Sequence, residues 1–455
     1  MYRFQQKVSG IRVLNAQAVV SDAPGAPPAL AADRTARGLE RPPEPRIGRR
    51  QAIAIASDSA GVRQLRGRAS ASMAVDRLDG GTLIWRALIP SARPLADFDV
   101  LVDAATGEVL ATRNVLQEFR TGEAKLFDPN PVVEHGSFHG LRDAARGDAD
   151  THLLTALRRR VELRKIKGGQ NCLRGEWATA KVGRDAHSVC RRSLRWKRVT
   201  RSKDSFEALM TYYHITRAQQ YIQDLGFSRA TGNPIDDRSQ VAVADAFGAD
   251  NSFYSPITKR IKYGTGGVDD AEDADVILHE YGHAMQDSES HAFALSQSSQ
   301  AGALAEGSSD YWAAAMSARS PGTSNEDDVC IFDWDATGGP LGRPYGRLFG
   351  NRYCGRRADD QRTFAKADQG VCGQDIHCVG QVWSSALWNL RKAIGGRKMD
   401  SIYLASQKMY TGNETFGNAA ALLVNADAML NGGAHKAAIC AEMETNRGLA
   451  VSNCP

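Results

Sequence analysis

The sequence predicts an α+β chain: a small α+β segment in front, then a larger unit that is β-rich at first and helical afterwards. Three observations carry this reading. Beyond Asp270, apolar residues recur at helical spacing in runs 273–287, 300–317, 376–395, 399–411, 416–430 and 435–445. Short strand-like runs at 241–244, 252–254 and 261–263 precede them, separated by turn residues. A Pro/Ala/Arg-rich stretch from Ala23 to Arg50 is unsuited to regular structure and reads as a loop or linker within the front segment.

Within that front segment, Ile47–Ala60 reads as a helix. Leu83–Ile89 and Phe98–Val102 follow as strands, with a turn at Ala104–Glu108. From Phe127 to about residue 200 the chain is polar and turn-rich, consistent with β structure. Ser205–Leu225 is an amphipathic helix, its apolar face supplied by Phe206, Leu209, Met210, Tyr213, Ile215, Tyr221 and Ile222.

The chain of 455 residues is long enough for two or three domains. At 42% hydrophobic and 24% charged it is globular in composition, and no apolar run approaches the ~20 residues of a membrane helix. The formal net charge is +5. A basic cluster at Arg158–Lys167 and Arg191–Arg198 comes without a nucleic-acid-binding module or interleaved aromatics, so it reads as a solvated face, with neither nucleic acid nor membrane as partner.

The eight cysteines all follow residue 170 and include no C-x-x-C pair, which argues for disulfides rather than a cysteine metal knuckle. The expectation is that neighbours pair: Cys172–Cys190, Cys330–Cys354, Cys372–Cys378 and Cys440–Cys454. Disulfides place the mature chain in an oxidising compartment. The opening Met1–Gln6 has no apolar signal region and reads as the interior of a domain, so the natural start is expected upstream.

The chemistry concentrates at His279-Glu280-Tyr281-Gly282-His283. Residues four apart on a helix share a face, so His279 and His283 project together while Glu280 is offset beside them. Two imidazoles flanking a carboxylate suit metal-assisted hydrolysis. A chance occurrence on an ordinary amphipathic helix is the bland alternative, and the residues that follow weigh against it. A zinc ion that keeps an open position takes three protein ligands. Gln286 and Glu289 occupy the positions where an extended motif would need Gly and a further ligand. The next helix offers Glu306 as the third ligand instead. Asp310, one turn on, shares its face and could orient a ligand imidazole. His291 is a rival ligand, better read as a surface histidine.

In that region the chain resembles the thermolysin-like zinc metallopeptidases, in their fungalysin branch. The matching stretches are HEYGHAMQD (279–287), GALAEGSSDYWA (302–313), DNSFY (250–254) and DIHCVGQVWSSALWNL (375–390). The resemblance implies a two-lobed fold, with a β-rich lobe at 119–269 and a helical lobe at 270–455. It also implies one zinc on His279, His283 and Glu306, Glu280 as general base and His377 facing the oxyanion. Asn251 and the Ser252 main chain would hold the substrate backbone. Val276 would border the pocket for the residue after the scissile bond, suggesting an apolar preference.

Read from the residues alone, Asn251 could equally satisfy its own turn. Asp375 is placed to cap a helix, and His377 in the first turn could serve capping or catalysis. Asp269, Asp270, Glu272, Asp273 and Asp275 lack EF-hand spacing; calcium is possible but unsupported, and favourable charge at a helix start is the preferred account.

YRFQQKVSGIRVLNAQAVV (2–20) resembles the fungalysin/thermolysin-type propeptide motif (FTP-like, 1–22), and LIWRALIPSARPLADFDVLVDAATGEVL (83–110) resembles a PepSY module (47–115). Residues 1–118 are therefore expected to be a propeptide that inhibits its own enzyme. The implied function is a secreted zinc-dependent endopeptidase acting on protein or peptide substrates. The family's usual tyrosine between the second histidine and the zinc glutamate is missing from 284–305, and Tyr311 is the nearest substitute. Arg347, Arg352 and Arg362 are the candidates for a substrate-binding arginine. The missing tyrosine keeps open a catalytically impaired zinc-binding relative acting as a secreted binding protein. A non-enzymatic module using the front segment for contacts is a third class.

Overall fold

The computed structural model describes residues 2–21, 29–40, 43–77, 81–116, 119–141, 143, 150–168, 171–296, 298–321, 329–339 and 344–455. The chain divides into two units, Met1–Glu118 and Phe119–Pro455.

The first unit is one eight-stranded sheet with a helix on it. Strands β1 (Tyr2–Val8), β2 (Ile11–Ser21) and β3 (Ala29–Asp33) are followed by α1 (Arg49–Ser59). Strands β4 (Gln64–Leu65), β5 (Ser70–Asp76), β6 (Thr82–Arg93), β7 (Leu95–Asp103) and β8 (Val109–Asn114) complete it. The order β1-β2-β5-β6-β7-β8 places β3 on β2 and β4 on β6. Along β6, Trp85, Ala87 and Ile89 point inward at period two, and α1 lays Ala52 and Ala56 against them. The Trp85 indole N–H donates to the Ile47 carbonyl at 3.0 Å, tying the chain entering α1 to the sheet. The linker expected over Ala23–Arg50 is corrected in part. Ala29–Asp33 is a strand registered on Ala18–Ser21, because an available edge supplies ladder hydrogen bonds whatever the composition. Residues 22–28 and 41–42 lie outside the described residues.

The second unit opens with β9 (Phe119–Leu126), short helices α2 (Pro131–His135) and α3 (His152–Leu157), and β10 (Arg159–Lys167), which pairs antiparallel with β9. Strands β11 (Ala178–Val182), β12 (His187–Ser188), β13 (Gln240–Phe247), β14 (Ser252–Ser255) and β15 (Arg260–Gly264) form a sheet ordered β12-β11-β13-β15-β14. Thus β14 is an edge strand, bound on one side by β15 in the register Ser252↔Tyr263.

Helix α4 (Ser205–Asp224) runs behind β11 and β13, with Phe206, Leu209, Met210, Ile215 and Ile222 all buried. It also buries His214, whose Nε2 lies 3.1 Å from the Phe127 carbonyl oxygen, so the neutral ring carries its proton there. Burial lowers His214 to about 4, against the opposing pull of Asp128. Protons therefore bind the unfolded chain before the folded one, and stability falls as pH drops from about 6.5 toward 4. The expected loss is roughly 3 kcal/mol. Chemical denaturation of wild type and His214→Gln at pH 7 and pH 4.5 checks it: the gap between them should narrow at the lower pH, and an unchanged gap refutes it.

The helical part comprises α5 (Ala274–Glu289), α6 (His291–Ala294), α7 (Ser299–Ser317), α8 (Phe364–Lys366), α9 (Ile376–Ile394), α10 (Gly396–Gln407), α11 (Phe416–Asn431) and α12 (Lys436–Cys440). Small strands β16 (Cys330–Ile331), β17 (Arg347–Phe349), β18 (Arg352–Cys354) and β19 (Arg356–Arg357) lie between α7 and α8, with β16 paired to β19. All four neighbouring cysteine pairs are bonded, and among the described residues no cysteine is free.

Two glycines set how closely α7 approaches its partners. A Cβ on Gly282 of α5 would stand 2.8 Å from Ser309 Oγ, and one on Gly307 of α7 would overlap the Gly380 carbonyl oxygen of α9. Without side chains there, the backbones of α5, α7 and α9 pack at close range. That spacing governs how far a side chain from α7 must reach.

Candidate metal centre and active-site cleft

Helix α5 starts at Asp273, whose carboxylate accepts the Asp275 N–H at 2.9 Å and the Trp334 and Asp335 N–H groups at 3.1 Å. Two turns on, His279 and His283 stand one above the other with Nε2 atoms 3.2 Å apart. Glu306 enters from α7, with Oε2 3.3 Å from His279 Nε2 and Oε1 3.4 Å from His283 Nε2. Ligand bonds of about 2.0–2.1 Å around a tetrahedral zinc imply donor separations of about 3.3–3.4 Å. One such ion fits these three side chains.

Supporting groups surround them. His279 Nδ1 lies 2.9 Å from Asp310 Oδ1, and Asp310 is fully buried, an arrangement that leaves Nε2 as the donor atom. Burial opposes charge on Glu306, but the two imidazoles hold its carboxyl well below the usual range. Gln286, where the extended motif would need Gly, donates to the Ala305 carbonyl at 2.9 Å and to Ser309 Oγ at 3.1 Å, pinning α5 to α7. Glu280 is 6% exposed. Burial raises its carboxyl above the ordinary range against the lowering effect of His279 and His283, and its Oε2 is buried without a hydrogen-bond partner. That oxygen is a buried acceptor without a donor.

A cleft of about 700 Å³ opens on this centre, lined among others by Asn251, Ser252, Val276, Glu280, Arg356 and His377. Asp375 caps α9, accepting the His377 N–H at 2.9 Å and the Cys378 N–H at 3.3 Å. It also lies 3.2 Å from His377 Nδ1, while His377 Nε2 lies 3.5 Å from Glu306 Oε2. The Cys372–Cys378 disulfide ties the preceding loop to this first turn. Asn251 is exposed at the start of β14, and the Ser252 hydroxyl donates to Asp270.

The geometry corrects several expectations. None of Arg347, Arg352 and Arg362 is the cleft arginine. Arg347 is exposed on β17, Arg352 lies 3.7 Å from Asp333, and Arg362 binds Asp360 and the Cys372 sulfur. Arg356 is the arginine that lines the cleft among the described residues, donating to Glu306 Oε2 at 3.0 Å and Asp310 Oδ1 at 2.7 Å above the Phe332 ring. Its one sequence signal is its position two residues beyond Cys354.

Tyr311 does not substitute for the absent tyrosine. It is buried and donates to Asp400 at 2.6 Å, on the helix side away from the cleft. Among the described residues two tyrosines line the cleft: Tyr254, which donates to Asp287, and Tyr345, which donates to Asp335. His291 begins α6 and lies 2.5 Å from Asp287, apart from the ligand set. The acidic run is not a simple helix-start charge either: Glu272 forms a buried ion pair with Arg201 at 2.6 Å, and Asp270 faces the cleft.

Residues 261–441 match the family model described as fungalysin metallopeptidase (M36). The chain carries a fungalysin metallopeptidase domain. No curated protein matches the sequence. The match runs from β15 to the end of α12 and contains all three candidate ligands with Glu280, Asp310 and His377, whereas Asn251 and Ser252 precede it. Fungalysin metallopeptidases are zinc enzymes that hydrolyse peptide bonds, and the α+β architecture agrees with this domain's thermolysin-like fold. No described helix is long and apolar enough to cross a membrane.

Proposed function

We propose that the chain is a secreted zinc endopeptidase made as a proenzyme, with His279, His283 and Glu306 holding the ion and Glu280 as general base. The observation carrying this reading is the convergence of the two imidazole Nε2 atoms, 3.2 Å apart, with the two Glu306 oxygens 3.3 and 3.4 Å from them, beside a buried, unpartnered Glu280 oxygen. Bound there, zinc supplies Lewis acidity that polarises a carbonyl and acidifies water.

The side chains divide the remaining work. An extended substrate adds to the free edge of β14, where backbone hydrogen bonds give sequence-tolerant binding and Asn251 reaches the peptide main chain. Glu280 takes a proton from the attacking water at its orphaned carboxylate oxygen and passes it to the departing amine, so the proton count closes within one turnover. His377, its ring held through Nδ1 by Asp375, presents Nε2 to the oxyanion. Arg356 locks Glu306 and Asp310 in place and turns its remaining donors to the cleft.

The match of residues 261–441 to the fungalysin family supports secretion, and the four disulfides agree with it. Met1–Glu118 would be the propeptide acting as intramolecular inhibitor, since it forms its own sheet and core. The impaired-relative alternative drew only on the missing tyrosine, and Tyr345 on the cleft wall weakens it.

Casein hydrolysis by the matured protein tests the reading. Activity should vanish with a chelator and return with about one zinc per chain, and mass spectrometry should place the mature start near residue 119. Tight zinc binding with no cleavage of any peptide would favour the impaired relative.

A further inference from the structure

Asp250, Asp270 and Asp335 line the same cleft as His279, Glu280 and Val276. One carboxylate oxygen from each lies within 4.8 Å of the other two. Asp270 and Asp335 are only 2% and 7% exposed. Each uses one oxygen to accept a hydroxyl, Asp270 from Ser252 and Asp335 from Tyr345. Their Oδ1 atoms are buried with no hydrogen-bond partner, and among the described residues no Lys or Arg pairs with any of the three. A buried carboxylate oxygen without a donor is unfavourable, and a cationic guest would supply what these two lack.

The neighbouring group Asp273, Asp275 and Asp333 shows the contrast. It too brings three carboxylates together, but Asp273 and Asp275 accept backbone N–H groups from Asp275, Phe332, Trp334 and Asp335. Asp333 in turn accepts from Asn130 at 2.5 Å and lies 3.7 Å from the Arg352 guanidinium, so backbone donors and a cation already serve that group. Among the described residues the cleft group lacks such a cation. Burial, followed by the charges of Asp270, Asp250 and Asp273, pushes the Asp335 carboxyl upward.

We infer that Asp250, Asp270 and Asp335 form a specificity pocket for the ammonium or guanidinium of a basic substrate residue following the scissile bond. The inference rests on the peptidase reading above and deepens it. An ammonium carries three N–H donors and no acceptor. Three acceptors about 2.8 Å from such a nitrogen, tetrahedrally arranged, would be about 4.6 Å apart, within the separation found here. The location selects a substrate side chain over a free ion: the group lies on the wall of the cleft that also exposes His279, Glu280 and His283. Val276, expected to border the pocket for the residue after the scissile bond, lines the same cleft. The apolar preference its side chain suggested gives way to a charged one, because a valine wall suits the methylene stem of Lys or Arg while the carboxylates take its head.

The test is cleavage of a proteome-derived peptide mixture by the matured, zinc-loaded protein, with every cut site read by mass spectrometry. Lys and Arg should be enriched about tenfold or more directly after the cut. Paired peptides differing only in Lys or Leu at that position should then be compared for wild type, Asp270→Asn and Asp335→Asn. The Lys-to-Leu ratio of kcat/KM should fall about 10–100-fold in either variant, with zinc content reporting intact folding.

Cuts with no basic enrichment at either flanking residue overturn the pocket while leaving the peptidase reading in place. So does about one calcium per chain that resists dialysis in wild type and is lost in Asp270→Asn, since the group would then be a cation site. Absence of cleavage in every peptide overturns the pocket and the reading beneath it together.

Discussion

Replacing Glu280 with Gln is expected to leave zinc stoichiometry near one per chain while lowering kcat/KM on casein or a model peptide about 10²–10⁴-fold. The amide has the carboxylate's shape, and Glu280 is not within the triangle formed by His279, His283 and Glu306. What Gln loses is the ability to take a proton. The buried, unpartnered Oε2 of Glu280 would become an amide group that cannot act as a base. Inductively coupled plasma analysis and steady-state kinetics on the same sample separate the two effects. Full activity with normal zinc would assign the base elsewhere; loss of zinc would show that Glu280 holds the site together rather than serving the reaction.

Glu306→Ala is expected to do the reverse, removing the metal and activity with it. In the proposed site the carboxylate is one of three donors, and its loss would leave His279 and His283 as a two-nitrogen site. It also frees the Arg356 guanidinium, now bonded to Glu306 at 3.0 Å and Asp310 at 2.7 Å, to place its positive charge beside the vacated position. Both consequences oppose a divalent cation. Zinc affinity should therefore fall by more than the ~10–100-fold that loss of an outer-shell partner costs. Competition against a chromogenic chelator measures it. Retention of affinity within about threefold of wild type would remove Glu306 from the ligand set, whatever the activity.

The contrast between these two variants follows from one helix and one crossing. The His279–His283 pair is local: the helical period by itself stacks two residues four apart, so it is readable from five letters. Glu306 also stands on a periodic segment, and the cap-like Asp375 before the apolar stripe of α9 is readable for the same reason. Disulfide pairing between neighbours is nearly local too, because short loops close readily.

Other parts of the cleft have no period to betray them. Arg356 lies on a two-residue strand that pairs with Cys330–Ile331, and nothing in its immediate sequence distinguishes it from Arg347, Arg352 or Arg362. Tyr345 comes from an irregular segment, and its role depends on Asp335 being opposite it. The strand at Ala29–Asp33 forms in a composition that argues against it, since pairing with β2 is a property of the partner as much as of the segment.

The amino-acid order alone thus determined the longer helices, the two imidazoles on a common face and the candidate carboxylate that could join them, because each depends on spacing within a few turns. Tertiary structure decided the distances: Gly282 and Gly307 let α7 come close enough for Glu306 to stand 3.3–3.4 Å from both rings. It also decided that Asp250, Asp270 and Asp335, from three separate segments, meet on the cleft wall. Charge convergence of that kind is a matter of packing between distant segments, and no local pattern encodes it.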